Sequence, residues 1–122
     1  MPDPVILELA VNGATPRSRN RHVPRDPGEI AEVALAGVEL GASIIHSHND
    51  EPMFTPDGVH AVEPYVASWR PVLERHPDLL MYPMMAAGAL LRALVDLVER
   101  LGRQPATISD ARRIIGVGRP VS

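Results

Sequence analysis

Apolar and polar positions alternate along this chain in two rhythms. Val5 to Val11 (VILELAV) is an apolar run broken only by Glu8 and ended by Asn12-Gly13. A short run bounded by turn residues reads as a strand. A polar, arginine-rich loop follows through Arg25. Asp26-Pro27-Gly28-Glu29 then has the form of a helix start. Asp26 suits the cap, Pro27 the first helical position, and Glu29 can reach back as in a capping box. Ile30, Val33, Ala34, Gly37, Val38 and Leu40 recur near helical spacing, and Gly41 is a natural stop. Ala42 to His48 (ASIIHSH) predicts a second strand. Pro52, Pro56 and Gly58 mark a loop, and a second helix is predicted over Val59 to Arg75, with Pro64 and Pro71 starting or kinking it. Leu79 to Met84 (LLMYPM) predicts a third strand. Gly88 to Ile115 predicts two helices broken around Gly102 to Pro105. The first carries an apolar stripe of Leu90, Leu91, Leu94, Leu97, Val98 and Leu101. Thr107 with Asp110 opens the second like a capping box, and Gly116 closes it.

Strands alternating with helices at this spacing imply βαβ units, a parallel sheet and an α/β fold, with right-handed crossovers between neighbouring strands. Functional residues in such folds gather at the C-terminal ends of the strands. His46 and His48 stand at one such end. Residues two apart on a strand share a face, so the two imidazoles converge and Ser47 points the other way. Such a pair can ligate Zn²⁺. It can equally be two polar residues at a loop mouth, bonded to water or backbone. Asn49 and Asp50 could orient the histidines or simply form the turn. Glu8 could face a barrel interior or pair with an arginine. Asn12-Gly13 could line a pocket with backbone amides or be a plain turn. Arg17, Arg19, Arg21, His22 and Arg25 could attract an anion or form a solvated loop. His60 and His76 read as surface residues, and Met81, Met84 and Met85 as core filler.

Composition narrows the chemistry. The 122 residues suffice for one domain with a real core, and 45% of them are apolar. A formal charge of −3 offers no basic surplus for nucleic acid or an anionic membrane. With no cysteine, a metal site must be built from His, Asp or Glu. No apolar stretch is long enough to span a bilayer and no signal-peptide pattern opens the chain, so the expected location is cytoplasmic.

Four stretches, LAVNGA, RHVPRDPGEIAEVALAGVELGASIIHSH, SWRPVLERHPDLLMYP and GRQPATISDARRIIGV, taken in this order and spacing, resemble one family. It is the β-keto acid cleavage enzymes, whose founding activity is cleavage of 3-keto-5-aminohexanoate. The resemblance implies a (β/α)₈ TIM barrel holding one divalent metal, usually zinc. It implies that His46 and His48 are two of the metal ligands. The family's third ligand is a glutamate in a Gly-x-Glu-Asp segment late in the barrel, and this chain has no such segment. The implied reaction is a retro-Claisen-type acyl exchange, in which a β-keto acid and acetyl-CoA become a new acyl-CoA and acetoacetate. Asn12, Gly13 and Thr15 are the implied substrate contacts. Thr15 stands where the founding enzyme has the glutamate that receives the substrate's amino group, which argues against an aminated substrate. The loop after His48 lacks the family's usual Arg-Asp.

Family members run to roughly twice this length, as a full barrel of about 250 residues requires. The resemblance therefore implies a partial barrel of three N-terminal parallel strands plus C-terminal helices. Residues 1–88 correspond to the N-terminal part and 89–122 to the terminal helices, with the seam between Met85 and Leu90. The expectation is a zinc-dependent acyltransferase of β-keto acid catabolism that is truncated and weakly active or inactive. A three-stranded sheet has two exposed edges, and homo-oligomerisation is expected to cover them. Two other classes stay open. One is a non-catalytic metal-binding or interaction fragment. The other is a small α/β hydrolase-like enzyme using the histidines as acid and base, for which the chain carries no nucleophile motif.

Overall fold

A computed structural model describes residues 4–49, 55–56, 61–83 and 90–116, apart from the side chains at 90–92, 94 and 112. Strand β1 (Glu8–Ala10) is followed by helix α1 (Pro27–Glu39), β2 (Ile44–Ser47), α2 (Glu63–Arg75), β3 (Leu80–Pro83), α3 (Leu90–Arg100) and α4 (Ile108–Ile115). The three strands form one parallel sheet in the order β1-β2-β3. This is an α/β fold of three parallel strands with helices between them, consistent with a segment of a barrel.

Each element forms for the local reason its residues suggest. The Asp26 carboxylate accepts the Glu29 N–H at 2.9 Å, while the Glu29 carboxylate accepts the N–H groups of Arg25 and Asp26. These bonds complete the capping box. They hold the Glu29 carboxyl below its usual range, the backbone bond from Arg25 most of all. Gly41 ends the turn after α1 at φ +106°, a conformation costly for any side chain. Helix α2 starts at Glu63, later than the Val59 expected, with Pro64 in its first turn. Pro71 lies inside this helix without ending it. Both Pro71 and Ala67 are exposed, so the carbonyl that Pro71 cannot bond has water to turn to.

The strands are shorter than their apolar runs. Glu8 pairs with Ile44 in register, so Val5 and Ile6 have no ladder partner on β2 and both are exposed. Val33 and Leu40, counted on the apolar stripe of α1, are also exposed. The buried side of that helix is Ile30, Ala31 and Ala34 instead. Residues 50–54 and 57–60, with Met84, Met85, Gly88 and Ala89, lie outside the described residues.

Both α1 and α2 cover the same face of the sheet. Leu9, Ile45 and Met81 form one rung on that face and join Ile30, Ala34, Tyr65, Trp69 and Val72 in the core. Gly37 lets α1 approach the sheet closely, since an added methyl would run into the Leu9 side chain. Helix α3 extends the layer. Leu97 is fully buried, and Arg103 just beyond the helix donates to the Leu79 carbonyl at 2.9 Å. An apolar cleft of about 280 Å³, lined by Trp69, Met81, Leu101 and Ile114 among others, lies on this side, away from the two histidines. No helix among the described residues is long and apolar enough to cross a membrane.

Helix α4 has a reciprocal cap of its own. Thr107 Oγ1 accepts the Asp110 N–H at 3.1 Å and donates to the Asp110 carboxylate at 2.7 Å. The Thr107 hydroxyl, then Arg113, pull the Asp110 carboxyl down to about 2 from an ordinary 3.8. The folded group therefore releases its proton more readily than the unfolded one. Its contribution is complete above the unfolded value and is lost as pH falls toward the folded value. Helical circular dichroism from α4 is expected to decline between about pH 4 and pH 2. A Thr107→Val chain, lacking the hydroxyl, should show that step shifted to higher pH.

Candidate metal centre

The second face of the sheet carries Glu8, Ala10, Ile44, His46, Leu80 and Tyr82, and neither α1 nor α2 packs on it. Ala10, His46 and Tyr82 form one rung across the three strands. Leu80 and Tyr82 are exposed, while Ile44 and His46 are half-buried. In a closed barrel this face would be the interior.

His46 is the third residue of β2, and His48 follows its last. Ser47, between them, is fully buried on the helix side, where its Oγ accepts the Trp69 indole N–H at 2.8 Å. That bond fixes which way the strand faces and thereby turns both histidines outward. The two imidazoles meet edge to face with ring centres 5.0 Å apart. They share one face, as the period of two predicts.

Three further groups hold the strand end. The Asn12 side chain donates to the carbonyls of Pro24 at 3.1 Å and His48 at 3.0 Å, and accepts the His48 N–H at 2.8 Å. The Asn49 N–H donates to the Tyr65 hydroxyl at 3.1 Å. His46 Nδ1 lies 3.1 Å from the Tyr82 carbonyl oxygen, and its ring stacks on the Tyr82 ring at 4.3 Å. A proton on Nδ1 satisfies that contact and leaves the Nε2 lone pair for a ligand. Metal-bound histidines are commonly oriented this way, with the distal N–H on a carbonyl.

The other candidates divide. Asn12 is buried, and its amide is committed to the three bonds above. Gly13 turns at φ +57°, and Thr15 is exposed, its carbonyl accepting from Arg25. Among the described residues Glu8 pairs with no arginine. It accepts the Tyr82 hydroxyl across the sheet, a bond that raises the tyrosine's pKa above its usual value. This contact and the stacking on His46 escape sequence reading, because parallel register is set by the crossovers. Arg17 pairs with Glu29 and Asp26 at the start of α1, and Arg21 donates to His22. Both are drawn to neighbouring side chains.

The pair fits a zinc ion. Two imidazoles bound at about 2.0–2.1 Å to one tetrahedral Zn²⁺ hold their ring centres about 5 Å apart, as these rings are. Yet among the described residues no group of three or more His, Asp or Glu comes together to hold a metal. Among the described residues the pair would supply half a tetrahedral set.

No curated protein matches the chain. A family model described as β-keto acid cleavage enzyme matches residues 4–88, which include all three strands and both histidines. Residues 89–122 fall outside that match. Covering more than half of the 122 residues, it places this chain in the β-keto acid cleavage enzyme family.

Proposed function

We propose that this chain is a zinc-binding member of its family whose site is only partly built, and whose turnover as a single chain is weak or absent. The carrying observation is the convergent pair at the C-terminal end of β2, on the face of the sheet opposite α1 and α2. That is where an α/β enzyme presents its chemistry. The substrate class is a β-keto acid with acetyl-CoA as co-substrate, in an acyl exchange yielding a new acyl-CoA and acetoacetate. Bound Zn²⁺ would act there as a Lewis acid toward the keto oxygen.

The chain's own residues have supporting parts. His46 and His48 hold the metal. The Tyr82 carbonyl and ring orient His46, and Asn12 anchors the backbone of His48. The loop from Gly13 to Thr15 borders the substrate, and a threonine there favours a substrate without an amino group. A homo-oligomer in the cytoplasm is the expected setting. That no third donor joins the pair among the described residues favours a second reading, a non-catalytic zinc-binding fragment. Equilibrium dialysis against Zn²⁺ tests what the two readings share. The parent chain should retain zinc and His46→Ala should lose at least tenfold in affinity, with unchanged circular dichroism. Equal zinc binding by both would refute the site.

A further inference from the structure

We infer that Glu8 is a positioning residue for His46, acting from the first strand through the Tyr82 ring. The inference rests on the zinc-binding reading of His46 and names the group that holds this imidazole ready. Strands β1 and β3 are not neighbours in the sheet, so the Tyr82 side chain crosses the middle strand to give its hydroxyl to the Glu8 carboxylate. On the way its ring lies against the His46 ring, with 4.3 Å between centres and planes 22° apart. Glu8 thus fixes the far end of a ring whose flat side walls the imidazole.

His46 needs that wall. Its Nδ1 lies 3.1 Å from the Tyr82 carbonyl oxygen, and one hydrogen bond leaves a ring able to swing about the bond. Aiming Nε2 takes a second restraint off that axis. On the β1 side the residue in register with His46 is Ala10, whose methyl is too small to supply it. The His48 ring meets His46 edge-on, whereas Tyr82 lies along its flat side. Tyr82 is itself 43% exposed, and a tyrosine so exposed has other rotamers to visit. The bond to Glu8 selects the rotamer that covers His46. A ligand held in its binding rotamer before the metal arrives spares binding an ordering cost. Groups that directly orient a metal ligand are typically worth 10–100-fold in affinity. Glu8 stands one step further out, so its share is smaller, about three- to tenfold.

The experiment reads the His46 ring protons of the full chain by NMR at one fixed pH without zinc, then measures zinc affinity by equilibrium dialysis. In the unmodified chain the Tyr82 ring current should hold the His46 ring protons upfield. Glu8→Ala and Tyr82→Phe should each return them toward the values of a free histidine, and the double variant should go no further than either. Glu8→Gln keeps an oxygen for the hydroxyl and should keep the parental shifts. Zinc affinity should follow the same pattern, falling about three- to tenfold in Glu8→Ala and Tyr82→Phe and staying parental in Glu8→Gln. A role in stability alone would lower the urea midpoint and leave the His46 shifts of the folded protein in place, which overturns the inference. Shifts that move with no change in zinc affinity overturn it too. An unmodified chain that binds no zinc overturns the zinc reading, and the ring-proton shifts then still decide whether Glu8 places His46. Should Glu8→Ala fail to fold, Tyr82→Phe, which keeps the ring and loses only the hydroxyl, carries the same measurement.

Discussion

Asn12→Ala is expected to destabilise the chain by about 2–4 kcal/mol, a large part of a small domain's stability. The side chain is buried and makes three hydrogen bonds, two of them to the backbone of His48 and one to Pro24. Alanine removes all three and leaves the His48 N–H and two carbonyls without that partner. Each orphaned buried group costs about 1–3 kcal/mol, less whatever water recovers. Asn12→Asp separates the roles. A carboxylate still accepts the His48 N–H, but it faces the Pro24 and His48 carbonyls with an acceptor in place of a donor. That variant should be unstable at neutral pH and regain stability in acid, where the protonated carboxyl can donate again. Urea unfolding followed by circular dichroism at two pH values measures both. A shift under 0.5 kcal/mol for the alanine variant would mean that Asn12 does not clamp the end of β2.

The second large effect concerns turnover. The unmodified chain is expected to show no detectable acyl exchange between β-keto acids and acetyl-CoA, even with zinc supplied. Catalytic zinc sites combine three protein ligands with one open position. On the zinc-binding reading, His46 and His48 are the two candidate ligands that come together among the described residues. On the reading that a barrel segment is absent between Met85 and Leu90, inserting the family's segment there would supply the glutamate ligand and its neighbouring acid. The completed protein should gain measurable turnover, and His46→Ala in it should then lower kcat at least a thousandfold, about 4 kcal/mol of transition-state stabilisation. An assay of acetoacetate release reads both. Robust turnover by the 122-residue chain alone, lost on His46→Ala, would show that the site is complete without the insertion.

Much of this architecture is legible in the sequence, and the failures share a cause. Asp26, Pro27 and Glu29 announce the start of α1 because a capping box involves only neighbours in the chain. His46 and His48 are placed on one face by the strand's period alone. What escapes is everything set by pairing between strands. Val5 and Ile6 look like strand, yet the register starts β2 opposite Glu8 and leaves them outside the ladder. The Glu8–Tyr82 bond links residues 74 apart. Asn12 reads as a turn residue, and only the approach of β2 turns its amide into a clamp. Ser47 seems a spacer between two histidines until α2 brings Trp69 onto it. Val33 and Leu40 fit the helical rhythm of α1 but face water, because the side of the helix that is buried is Ile30, Ala31 and Ala34.

The Trp69–Ser47 bond also makes the molecule its own optical probe. Trp69 is the chain's single tryptophan, buried at 3% exposure, and its indole bonds the residue between the two histidines. With excitation selective for the indole, emission from the native protein thus comes from one fluorophore bonded to the strand that carries the two histidines. Rotation of β2 that reorients His46 and His48 must stretch that bond and change the indole's surroundings. Unlabelled protein in a cuvette accordingly reports strand motion through a wavelength shift, while global unfolding gives the much larger red shift of a solvated indole.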